Sequence, residues 1–77
     1  MKHRYHVLLQ WQPEQARWCI EFGSYDRQDV TAERADYRAN GVKAAHLHVI
    51  TVSTGTQAIV DDVVAAFNGY AKPRHGY

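Results

Sequence analysis

The chain has 77 residues, 45% of them apolar and 12% aromatic, which excludes a disordered polypeptide and bounds the answer at one domain near the lower size limit for a single core. Nine Lys and Arg stand against eight Asp and Glu, so net charge supplies no general pull toward nucleic acid or a membrane surface. A single cysteine, Cys19, excludes an internal disulfide and the usual cysteine-based zinc patterns; with no apolar run of signal-peptide or membrane-span length, the expectation is a cytoplasmic protein.

Residues 4–11, RYHVLLQW, alternate with Tyr5, Val7, Leu9 and Trp11 on one side and Arg4, His6, Leu8 and Gln10 on the other, the period of a β-strand. QPEQA follows, and Pro13 cannot donate to a ladder. RWCIEFG then alternates again, with Trp18, Ile20 and Phe22 opposite Arg17, Cys19 and Glu21, predicting an antiparallel hairpin. From Gly23 the period changes. SYDRQDVTAERADYRANG offers Ser24 or Asp26 as an N-cap and ends at Asn40-Gly41, where glycine closes a helix in the left-handed conformation. Its apolar side is thin: Val30 and Tyr37 line up with the Arg34 stem between them, while Ala32, Ala35 and Ala39 lie nearly opposite, leaving the buried side open.

A third strand covers about residues 46–52, with Leu47, Val49 and Thr51 on one face and His46, His48, Ile50 and Val52 on the other. STGTQAIVDDVVAAFNGY is the clearest helix. Thr54 and Gln57 make a capping box, Ile59, Val63, Ala66, Phe67 and Tyr70 a stripe, and Gly69 a stop. Residues 71–77, AKPRHGY, read as a flexible tail after a domain spanning 1–70. The sum is an α+β fold, ββαβα. A crossover from the second strand makes the third parallel to it, so placing the third beside the first gives a fully antiparallel sheet of order 2-1-3. Both helices are expected on the face carrying Tyr5, Val7, Leu9, Trp11, Trp18, Ile20, Phe22, Leu47 and Val49.

That arrangement would leave an open sheet face with His6, Leu8, Cys19, Glu21, His46, His48 and Ile50, the candidate binding residues. Imidazole and thiolate suit zinc-like ions, yet residues on separate strands rarely meet metal–ligand distances, so the expectation is an interface face without a metal or cofactor. Arg27, Arg34, Arg38 and Lys43 are the candidate nucleic-acid contacts, but Asp26, Asp29, Glu33 and Asp36 interleave with them at helical spacing. Catalysis finds no support: Cys19 sits mid-strand without the helix N-terminus that activates thiolates, and STGT is no phosphate loop.

Residues 21–50, EFGSYDRQDVTAERADYRANGVKAAHLHVI, resemble a family of small bacterial and prophage-encoded proteins in which a hairpin leads into a YDR…ER…DYR…G…KA helix and another strand. The resemblance implies that arrangement and no particular activity. More loosely, FGSY, DR, an Ala- and Arg-containing helix and NGVKA are similar to the β-α-β half of the peptidoglycan-binding SPOR domains. SPOR domains have two such halves and are exported, so this likeness implies only fold. The functional expectation is therefore a non-enzymatic interaction protein, related to phage or prophage proteins, that binds itself as a dimer and another macromolecule, a protein partner. Nucleic-acid or metal binding through the Arg-bearing helix or the histidines is the alternative.

Overall fold

The computed structural model describes residues 4–70; the tail expected at 71–77 lies outside them. Strands β1 (Tyr5–Gln12) and β2 (Arg17–Ser24) form the hairpin and helix α1 (Arg27–Ala39) follows. A 3-10 turn (Ala44–His46) leads into β3 (Leu47–Val52), and α2 (Gln57–Tyr70) comes last. The sheet is antiparallel throughout and its order is β2-β1-β3, the expected arrangement.

Local chemistry sets the ends of α1. The Asp26 carboxylate accepts from the Gln28 N–H at 2.9 Å, and Ser24 Oγ donates to Asp29 at 3.1 Å, so the two candidate caps act together. At the other end Gly41 takes φ +97, which frees its N–H to reach the Arg38 carbonyl and the Val42 N–H to reach that of Tyr37. These two bonds close the helix as a glycine-terminated cap, and Val42 joins Tyr37 in the core beneath α1.

The helices occupy opposite faces of the sheet, not one. Under α2 lie Val7, Leu9, Trp11, Trp18 and Val52 with Val60, Val64 and Phe67; under α1 lie Leu8, Val30 and Leu47, flanked by Phe22, Tyr37, Val42 and Val49. Two features of register produce this. First, β3 pairs so that His48, Ile50 and Val52 stand opposite Leu9, Val7 and Tyr5, which carries Leu47 and Val49 to the Leu8 side. Second, the β1–β2 pairing slips between Leu8↔Phe22 and Leu9↔Ile20, leaving Glu21 as an extra residue. That bulge turns Phe22 to the α1 face while Trp18 and Ile20 stay on the other.

A sheet with apolar side chains on both faces needs two covers. The central strand shows it most plainly: Val7, Leu8 and Leu9 are all fully buried, each contributing about 1.5–3 kcal/mol of transfer energy. Helix α1 buries its Val30–Tyr37 side and turns Ala32, Ala35 and Ala39 to solvent. In α2 the buried residues are Val60, Val64 and Phe67 with Val63 half-buried beside them, one residue round from the expected stripe, and Ile59 and Ala66 are exposed.

Candidate functional site

The covering of both faces disperses the expected binding residues. Leu8 is buried under α1, and Ile50 packs on the α2 core. His6 lies on the α1 side of β1, its Nδ1 2.9 Å from Thr51 Oγ1. His48 lies on the other face, its ring stacked on Phe67 at 4.7 Å and 6.1 Å from Trp18. Burial, and after it the positive charge of Arg34, hold this imidazole below its ordinary pKa although its outer edge meets solvent. His46 sits in the 3-10 turn with Nε2 enclosed and no hydrogen-bond partner among the described residues.

Cys19 Sγ reaches Gln15 Oε1 at 3.9 Å, and the bulged Glu21 accepts from the Tyr37 hydroxyl at 2.9 Å and from Gln12 Nε2 at 3.5 Å. The bond to Glu21 raises the Tyr37 phenol pKa, since the neutral phenol is the donor. Among the described residues no three of His, Cys, Asp and Glu come together closely enough to share a metal ion. The arginines also fall apart as a group: Arg27, Arg38 and Lys43 are exposed, Arg34 is half-buried, and Arg38 Nη1 is turned back to the Val42 carbonyl at 3.2 Å.

Beyond the binding candidates, a tyrosine contact ties the β2–α1 loop to the β3–α2 loop. The Tyr25 hydroxyl accepts from the Gly55 N–H at 3.0 Å and bonds the Thr54 side chain, which lowers its pKa. Its ring meets Tyr5 edge-on at 4.8 Å, and Tyr5 in turn lies so close over Gly23 that a Cβ there would run into the ring.

With the faces covered, the two edges of the sheet remain, and they differ. On β2 the side chain of Asn68 bonds both backbone groups of Trp18: Oδ1 accepts from its N–H and Nδ2 donates to its carbonyl at 3.1 Å. A side-chain amide thus stands where a neighbouring strand would stand. The bulge at Glu21 further breaks the regularity of this edge. A recess of about 430 Å³ lies beside it, lined by Arg17, Trp18, Cys19, Ile20, Asp61, Val64 and Ala65.

Among the described residues the β3 edge has no such cover. Because Trp18 turns its N–H and C=O outward, its partner Trp11 must turn its own toward β3, and by alternation so must Leu9 and Val7. Their partners His48 and Ile50 therefore bond inward, and the backbone groups of Leu47, Val49 and Thr51 point out of the sheet. The Leu47 N–H is taken by the Ala44 carbonyl; among the described residues nothing answers Val49, Thr51 or the Leu47 carbonyl. Residues 44–60 contain no Asp, Glu, Lys or Arg, and β3 contains no proline and pairs without a bulge. Among the described residues the devices that usually protect an edge are absent from this one. Periodicity alone could not find this site, because which residues face outward depends on the register with β1.

No protein-family model, curated protein or solved structure matches the chain. No helix among the described residues is long and apolar enough to cross a membrane.

Proposed function

We propose that the protein is a small cytoplasmic interaction module without catalytic activity, and that it engages its partner by strand addition to the β3 edge. The contrast between the edges carries this reading. One edge is capped by Asn68, whereas the other offers a row of backbone donors and acceptors on an uncharged, β-branched strand. Main-chain bonds of that kind supply affinity in strand-addition complexes, and side chains at alternate positions supply selectivity.

Val49→Pro tests it. The proline removes an N–H that points out of the sheet and leaves the bonds to β1 intact, a position where edge strands tolerate proline. Purified wild type and folded Val49→Pro protein are compared in pull-downs scored separately for protein and nucleic acid. Capture by both alike removes the edge from the interaction, and a nucleic-acid partner retained by both shifts the reading to the α1 arginines.

A further inference from the structure

We infer that the occupant of the β3 edge is a second copy of this chain, paired antiparallel about a twofold axis through Val49. This inference rests on the strand-addition reading above and names its partner. The outward residues Leu47, Val49 and Thr51 are symmetric about Val49, so one antiparallel register pairs both copies alike. In it, the two Val49 residues exchange both backbone bonds, and each Thr51 N–H donates to the Leu47 carbonyl of the other copy. The Leu47 N–H is already used by the Ala44 carbonyl, so the Thr51 carbonyl of the other copy, its partner in this register, is left to water at each end of the seam.

Electrostatics and shape agree with self-pairing. Two copies bring together segments with no formal charge over residues 44–60, so no like charges face each other across the seam. The same register sets residue 53 opposite residue 45 of the other copy. The 3-10 turn at Ala44–His46 then meets the end of the edge where Arg4, Thr51, Val52 and Ser53 line a recess of about 380 Å³. The product is a continuous six-stranded sheet with both α1 helices on one face and both α2 helices on the other, and its remaining edges are the two β2 strands bridged by Asn68. Closed twofold assembly of this kind uses up the open edge and leaves no site for further growth.

Light scattering across a range of concentrations and symmetric cross-linking decide the matter. Wild type is expected to be a dimer, unchanged by EDTA, and Val49→Pro a folded monomer. In a Cys19→Ser background, Val49→Cys should oxidise to a covalent dimer, since directly opposed residues of a bonded pair stand about 5.5 Å apart at Cα, within disulfide reach. Thr51→Cys in the same background should cross-link far less, because Thr51 faces Leu47 rather than its twin. A wild type that is monomeric at every concentration overturns self-pairing, and the pull-down difference between wild type and Val49→Pro then judges strand addition on its own. A dimer that survives Val49→Pro, or a Val49→Cys variant that fails to cross-link, places the interface elsewhere and equally overturns the inference.

Discussion

Asn68, near the end of α2, holds both the N–H and the C=O of Trp18, fifty positions earlier in the chain. One side-chain amide thereby fastens the last helix to the edge of the first hairpin, where Trp18 also packs edge-on against Phe67 at 5.4 Å and Trp11 at 5.6 Å. Asn68→Ala should cost about 1–3 kcal/mol, because two part-buried backbone groups lose their partners together. Amide exchange at Trp18 should accelerate in the variant. A denaturation midpoint and an exchange rate equal to wild type would show that the bridge contributes nothing.

The one-residue rotation of α2 gives a second test. Phe67 is 8% exposed at the centre of the α2 core, whereas Ile59 is 38% exposed. Phe67→Ala should lose about 3–5 kcal/mol, a large share of the stability of so small a domain. Ile59→Ala should lose less than about 1 kcal/mol by the same reasoning on burial. Comparable losses in urea denaturation would mean that the helix faces the sheet with its Ile59 side.

His48 makes stability depend on mild acid. Its folded pKa is depressed by burial first and Arg34 second, so the unfolded chain takes up a proton near the ordinary value of 6.5 while the folded chain resists. Stability from this group is therefore intact above about pH 6.5 and declines as pH falls through that value. Melting temperatures taken from about pH 8 to about pH 5 should fall more steeply for wild type than for His48→Gln. Parallel curves would remove His48 as the cause.

The hairpin loop stores strain at a single position. Ala16 has φ 51, in the left-handed region, at the end of the Pro13–Ala16 turn where its N–H bonds the Pro13 carbonyl at 3.3 Å. Left-handed backbone costs a residue with a Cβ about 1–2 kcal/mol, most of which glycine avoids. Ala16→Gly should therefore raise stability by about 1 kcal/mol, read as a higher urea midpoint with an unchanged slope. A lower midpoint would count against this turn geometry.

Nucleic-acid affinity should be weak and nonspecific at physiological salt. Arg27, Arg38 and Lys43 are exposed, but exposed Asp26, Asp29 and Asp36 share α1 and its entrance with them, and charges of both signs cancel the field that draws phosphate. Fluorescence anisotropy with labelled DNA and RNA measures it. Submicromolar, sequence-selective binding that disappears in the double variant Arg34→Ala, Arg38→Ala would instead assign the helix a nucleic-acid role.

Local patterns in the sequence determine the elements, their chain order and the caps of α1, because each depends on neighbours a few residues apart: Asp26 on Gln28, Gly41 on Arg38. The direction of β3 also follows from the sequence, since a helical crossover makes it run with β2 and against β1, and beside β1 it completes the antiparallel 2-1-3 sheet. The run Val7-Leu8-Leu9 already signals a strand buried on both faces, although strict alternation assigns Leu8 to an open one. Tertiary structure alone decided the rest. Alternation says which side chains of one strand share a side but not how strands are phased, so the extra residue Glu21 sends Phe22 across the sheet, and the Leu9↔His48 pairing separates His48 from His6. The protection of one edge and the exposure of the other lie beyond any local pattern, because Asn68 reaches Trp18 only after α2 has packed on the sheet.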